Sequence, residues 1–127
     1  MQNEQQKIGQ VGEDIATNYL KKKGYKILSR NFKTKWGELD IVASHQKTIV
    51  FVEVKTLKID PYKKSGFLPE DEITFHKANQ LQKMTQIYLA SKKLPLDIDQ
   101  QIDIVAIEFN TADDYVIRHT ENAIGDY

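Results

Sequence analysis

Two acidic residues and a lysine, set in neighbouring apolar segments, are the side chains of this sequence best suited to chemistry. Asp40 lies in residues 37–44 (GELDIVAS), and Glu53 and Lys55 lie in residues 51–56 (FVEVKT). Residues i and i+2 of a strand point to the same face, so Glu53 and Lys55 project together. If the two strands pair, we expect Asp40 to join them.

Two carboxylates at a buried strand pair are costly unless a cation compensates their charge. Carboxylate oxygens with open water positions suit Mg2+, and a nearby lysine can orient or deprotonate a water. The alternatives are an exposed edge acid at Asp40 and an intrastrand salt bridge between Glu53 and Lys55, worth at most ~1 kcal/mol when exposed. We predict a metal site formed by Asp40 and Glu53, with Lys55 serving the water.

These segments belong to a series of predicted elements. Apolar residues at helical spacing predict a helix over about residues 5–23, and a second, Pro-led and acidic at its start, from residue 69 to about 91. The strands are predicted at residues 25–32, 38–44, 48–56, 101–109 and 115–119. In the second strand Asp40 is expected to share a face with Val42, opposite Leu39 and Ile41.

The run TIVFVEV is apolar on both strand faces, which is typical of a central strand covered on both sides. The order α-β-β-β-α-β-β predicts a single α/β domain over residues 1–120, with a mixed five-stranded sheet flanked by helices. Residues 121–127 are predicted to be a frayed tail.

The composition excludes several classes of protein. The chain has 127 residues and no cysteine, so a disulfide framework and a cysteine-based zinc site are excluded. The polar first residues contain no signal-like apolar region, and no apolar run approaches the ~18–20 residues that span a bilayer. We therefore expect a soluble cytoplasmic protein without a membrane partner.

The net charge of zero conceals an asymmetry. Residues 1–64 carry 13 Lys/Arg against 7 Asp/Glu, and residues 65–127 carry 5 against 11. A local basic surface is what a nucleic-acid-binding protein requires, although a solvated helix end with a lysine-rich hairpin is an equally simple explanation. The lysines predicted to contact nucleic acid are those before Asp40 and in the loop 57–68, namely Lys33, Lys35, Lys58, Lys63 and Lys64.

Two helical residues are further candidates. Glu13 lies at the margin of the first helix's apolar stripe, where an ordinary solvated acid is the alternative. Lys77 lies inside the stripe of the second helix, four residues from both Ile73 and Leu81. A lysine there can extend to solvent along its aliphatic stem; otherwise its ammonium points towards Glu53 or a bound phosphate.

The Asp…Glu-x-Lys pattern resembles the PD-(D/E)xK nuclease superfamily, which includes type II restriction enzymes and archaeal Holliday-junction resolvases. The whole chain more closely resembles the YraN-type family of small bacterial proteins. The resemblance covers roughly the first 110 residues and is carried by Gly9-x-x-Gly12-Glu13, Tyr19-Leu20, Gly24-Tyr25, Arg30-Asn31, Gly37-Glu38-Leu39-Asp40, residues 51–56 and Lys77. The superfamily usually has Pro before this Asp, where this chain has Leu39.

This resemblance implies a restriction-endonuclease-like fold and a Mg2+- or Mn2+-dependent DNA endonuclease, selective for branched DNA if resolvase-like. Asp40, Glu53 and the Val54 carbonyl would hold the metal, Lys55 would activate water, and Glu13 and Lys77 would support the site. A resolvase-like role would also require a homodimer to cut two strands. The alternatives are a nucleic-acid-binding adaptor with little or no catalysis, and a structural protein with an accidental charged cluster.

Overall fold

The computed structural model describes residues 2–58, 73–111 and 113–124. Their elements are, in chain order, α1 (Glu4–Lys22), β1 (Lys26–Thr34), β2 (Gly37–His45), β3 (Thr48–Lys58), α2 (Phe75–Ser91), β4 (Gln100–Phe109) and β5 (Tyr115–Thr120). This order confirms the predicted α/β fold. None of the helices in the described part of the chain is long and apolar enough to cross a membrane.

The five strands form one mixed sheet, in which they lie side by side in sequence order. β1, β2 and β3 form an antiparallel meander, and β5 is antiparallel to β4. β3 and β4 are parallel, with Ile49 opposite Gln100 and Lys58 opposite Phe109. The carboxyl ends of β3 and β4 therefore lie at the same end of the sheet as the β1–β2 turn.

A separate apolar core lies on each face of the sheet. Phe51 of β3 packs with Leu81 and Met84 on the α2 side, whereas Val50 and Val52 belong to the core on the α1 side. This alternation confirms that β3 is covered on both faces. It also directs Glu53, two residues after Phe51, towards α2.

Helix α1 approaches the sheet closely at one glycine. A Cβ added at Gly12 would collide with the Thr56 side chain of β3, whereas one added at Gly9 would meet nothing within 4 Å. Gly12 is therefore required for packing against the sheet. Gly9 has no such constraint from the described residues.

Two boundaries differ from those predicted. The predicted acidic helix start at residues 69–72 lies outside the described residues, and within them α2 begins at Phe75 with Thr74 as its N-cap. The predicted frayed tail differs from the structure over residues 121–124. There the Asn122 and Ala123 amides bond to β4 and Ile124 is buried, because this segment packs across the start of the strand.

Candidate active site

Asp40 lies where the ladder between β2 and β3 ends. Regular pairing runs from His45 opposite Thr48 to Ile41 opposite Val52. One residue beyond this last pair, Asp40 Oδ2 accepts a hydrogen bond of 2.8 Å from the Val54 amide. The carboxylate therefore takes the place of a backbone carbonyl at the point where the two strands stop pairing.

The predicted alternation of β2 is wrong around Asp40. Leu39 packs with Val42 in the core on the α2 side, whereas Ile41 packs on the α1 side. Opposite this point in β1, Asn31 adopts a positive φ of 54°, a conformation that asparagine tolerates better than most residues. The two irregularities together break the regular pleat and place Asp40 between the two faces.

Glu53 faces α2 and is nearly buried, with 7% of its surface exposed. Lys77, in the first turns of α2, places its Nζ 3.5 Å from Glu53 Oε1. Lys55 is half-buried, and its charge also acts on Glu53. The structure thus brings Asp40, Glu53, Lys55 and Lys77 together, as the sequence pattern suggested.

The two carboxyl groups perturb one another. The pKa of Glu53 is raised from 4.5 to about 7, first by burial and then by the Asp40 charge, against the lowering effect of Lys77 and Lys55. Burial likewise raises the pKa of Asp40, while its hydrogen bond from Val54 and the Lys77 charge act in the opposite direction. The pair therefore retains a proton close to neutral pH. Binding of a cation at these oxygens would favour its release.

This donor set fits a hard divalent cation. Both groups offer carboxylate oxygens, which Mg2+ and Mn2+ prefer, and burial together with the Asp40 charge disfavours ionisation of Glu53 in the absence of a cation. The Val54 amide is already part of the site through its bond to Asp40. The role of its carbonyl oxygen as a ligand stays a prediction.

Glu13 borders this site from α1. Burial raises its pKa, and the nearby Asp40 charge raises it further. The Asn31 side chain hydrogen-bonds to Glu13 and lowers the same pKa, as does Arg30, whose guanidinium lies 3.8 Å from Glu13 Oε2. Sequence reasoning did not single out Arg30 and Asn31 as site residues. The available signal was the place of this adjacent pair among the motif residues that carry the family resemblance.

The basic residues of the first half that the structure describes do not form one surface. Lys33 and Lys35 lie at the β1–β2 turn, at the same end of the sheet as Asp40. Lys58 lies at this end too, at the end of β3, and its Nζ is 3.4 Å from Glu4 Oε1. The lysines at the end of α1 are near the start of β1, ~26 Å away along a nine-residue strand. Lys63 and Lys64 lie outside the described residues.

A second charged group lies on the other face of the sheet. One ligand atom each from Asp103, His119 and Glu121 falls within 4.8 Å of the others, so this group could hold a metal ion. However, His119 Nε2 already bonds to Asp103 Oδ2 at 2.7 Å and its Nδ1 to the Tyr19 hydroxyl at 3.1 Å. Sequence reasoning missed this buried pair because Asp103 resembles an ordinary polar strand position.

Comparisons with known proteins agree with one another at the level of the family. Residues 12–107 match the model of "Uncharacterised protein family UPF0102". A UPF0102 protein of Caldanaerobacter subterraneus subsp. tengcongensis is 43% identical over 81% of this chain and 80% of its own length. Another, from Clostridium botulinum strain Loch Maree, is 38% identical over 91% of this chain and 92% of its own.

Among solved structures, that of Pyrococcus furiosus SfsA in complex with Ca2+ aligns with a TM-score of 0.40 and 16% identity. The alignment covers 89% of this chain, which spans only 62% of the length of that protein. The family relationship rests on the sequence matches alone. On them, the chain belongs to the UPF0102 (YraN-type) family, within the restriction-endonuclease-like superfamily.

Proposed function

We propose that this protein is a divalent-metal-dependent endonuclease that hydrolyses phosphodiester bonds of DNA. The observation that carries the proposal is the buried Asp40–Glu53 pair at the point where β2 and β3 stop pairing, flanked by Lys55 and Lys77. A purely structural ion pair would not require two mutually repelling acids, since a single buried carboxylate with one lysine costs less.

In this mechanism Asp40 and Glu53 would hold the metal ion, Mg2+ or Mn2+. When bound, the metal supplies positive charge at the phosphate and lowers the pKa of a water. Lys55, two residues after Glu53 on the same face, would orient the attacking water. Lys77, whose Nζ lies 3.5 Å from Glu53 Oε1, would offer its ammonium to the phosphate.

Glu13 and its neighbours have a positioning role. The Arg30 and Asn31 contacts limit the orientations of the Glu13 side chain. Glu13 in turn adds negative charge next to Asp40, which favours cation binding. Its removal should weaken metal affinity less than removal of Asp40, because Glu13 is only partly buried.

The decisive experiment is a cleavage panel of linear, nicked, flapped and four-way DNA, together with RNA, in Mg2+ and in Mn2+. We expect metal-dependent cleavage of DNA, with branched substrates cut fastest. Asp40→Asn should weaken Mn2+ binding in calorimetry. Glu108→Gln, which changes an ion-paired acid of β4 in the same way, is the matched control and should bind as the wild type does.

Lys55 separates an enzyme from a DNA-binding adaptor. If it serves the water, Lys55→Ala should abolish single-turnover cleavage yet retain Mn2+ affinity and most DNA affinity, because the interaction matters mainly in the transition state. Wild-type cleavage by this variant would remove Lys55 from the mechanism. Absence of cleavage by the wild type on every substrate, with salt-dependent DNA binding retained, would replace the nuclease by the adaptor.

Lys33 and Lys35 supply the nucleic-acid contact in this proposal, since they lie at the same end of the sheet as the carboxylates. Each phosphate that the protein no longer neutralises should reduce the slope of log K against log salt by about 0.7–0.9. Charge reversal of both residues should therefore flatten the slope by about 1.5. Charge reversal of Lys92 and Lys93, beyond the end of α2, is the control and should leave the slope unchanged.

A further inference from the structure

Trp36 is the single tryptophan of the chain, yet 50% of its surface is exposed. It lies in the turn between β1 and β2, and its backbone is fixed on both sides. Its amide donates to Thr34 Oγ1 at 3.0 Å, and its carbonyl accepts from Gln80 Nε2 of α2 at 3.3 Å. The backbone that carries this large aromatic ring is thus held in place, while half of the residue's surface faces solvent.

Positive charge surrounds this ring. The Nζ atoms of Lys83 and Lys35 lie 4.2 and 4.8 Å from the ring centroid. The same turn carries Lys33, whose partner Glu38 is 3.8 Å away. An aromatic face with ammonium groups beside it is the combination with which proteins bind single-stranded nucleic acid, since bases stack on the ring and phosphates meet the cations.

Helix α2 connects this ring to the candidate active site. Lys77 contacts Glu53, Gln80 contacts the Trp36 carbonyl one turn later, and Lys83 covers the ring after a further turn. Trp36 lies four positions before Asp40, so the backbone path between them is ~13 Å at ~3.3 Å per residue.

We propose that Trp36 stacks on an unpaired base of the DNA substrate, close to the phosphate that is cleaved. Lys35 and Lys83 then leave the ring and contact the phosphates that flank this base. The substrate class is DNA with a single-stranded or unpaired segment beside the cleavage point. This inference rests on the proposed nuclease function for the position of the cleaved phosphate, but base stacking itself does not require cleavage.

The relative strengths of the two interactions allow this exchange. An exposed cation–π contact changes an equilibrium by about two- to fivefold, whereas stacking of one base on an aromatic side chain changes it by about five- to 150-fold. Over most of its range stacking exceeds the cost of displacing both lysines, which is about four- to 25-fold together, and each displaced ammonium regains a partner in phosphate. In an intact duplex both faces of a base are covered by its neighbours, so an unpaired base is the better partner.

The test uses Trp36 as its own reporter, in EDTA so that no cleavage occurs. We expect oligothymidylate to quench the tryptophan emission strongly, and a blunt duplex of equal length to quench it weakly. Polyglutamate of equal charge should have no effect. Trp36→Ala should lower single-strand affinity about tenfold in fluorescence anisotropy, and Trp36→Phe should retain most of it. Tyr115→Ala, an exposed aromatic on the opposite edge strand β5, should bind as the wild type.

Absence of quenching by the single strand, equal quenching by the duplex, or unchanged affinity of Trp36→Ala would each overturn the stacking proposal. The metal site is tested separately by calorimetric titration of Mn2+ into the wild type and Asp40→Asn, a measurement that does not involve Trp36. Quenching without any cleavage by the wild type would retain the stacking and reject the nuclease. Metal-dependent cleavage without quenching would retain the nuclease and reject the stacking.

Discussion

Replacing Glu53 by glutamine should make the metal-free protein more stable at alkaline pH. The folded protein holds a proton on Glu53 up to a pKa of about 7, whereas the ordinary value is 4.5. Between these values the native state binds more protons than the unfolded chain, so the free energy of unfolding falls as pH rises. At 1.36 kcal/mol per pH unit, the wild type loses on the order of 3 kcal/mol before the loss levels off above pH ~7.

Urea unfolding in EDTA at several pH values between about 5 and 8 measures this effect. Glu53→Gln should match the wild type near pH ~5 and exceed it by roughly 2–3 kcal/mol near pH ~8. Saturating Mn2+ should remove the advantage, since it stabilises the wild type by mass action and the variant less. In Glu108→Gln the free energy of unfolding should fall with pH as steeply as it does in the wild type. If the free energy of unfolding of the wild type were constant or rose over this pH range, Glu53 would not have a raised pKa in the folded protein.

Three smaller predictions concern the surroundings of the site. Gly12→Ala should destabilise the fold by about 1–3 kcal/mol through its collision with Thr56, whereas Gly9→Ala should stabilise α1 by up to ~1 kcal/mol in thermal melting. Asn31→Ala should cost about 1–2 kcal/mol in urea unfolding because of its positive φ, and Asn31→Gly should recover the backbone part of that loss. Lys77→Met should raise the pKa of Glu53 further, because it removes the neighbouring positive charge. A carboxyl titration by NMR would detect this change as a midpoint above that of the wild type.

The fold and the convergence of the charged residues follow from patterns of period two and 3.6. Glu53 and Lys55 share a face because strand alternation in β3 is unbroken, and Lys77 reaches them because the apolar stripe of α2 faces that side. Alternation fails at Asp40, because the positive φ of Asn31 and the end of the β2–β3 ladder depend on tertiary geometry. Neither feature leaves a periodic trace in the sequence.

The basic surface shows the same limit. Lysines that are close in sequence from Lys21 to Lys35 lie at two ends of the sheet, because β1 runs its full length between them. Periodicity in the sequence identifies a strand, but it does not show at which end of the sheet the lysines before and after that strand lie. The Asp103–His119 pair was hidden for a related reason, since its partners meet only when β5 is placed beside β4.

The arrangement of the strands also sets an order of folding events. Partners in the β2–β3 ladder are close in sequence, from His45 with Thr48 to Ile41 with Val52, whereas each β3–β4 pair, such as Ile49 with Gln100, spans 51 residues. Closing the longer loop costs roughly 1–2 kcal/mol more in chain entropy, and non-local pairing is kinetically slow. The meander should thus form first, exposing both carboxyl groups to solvent until α2 docks and buries Glu53.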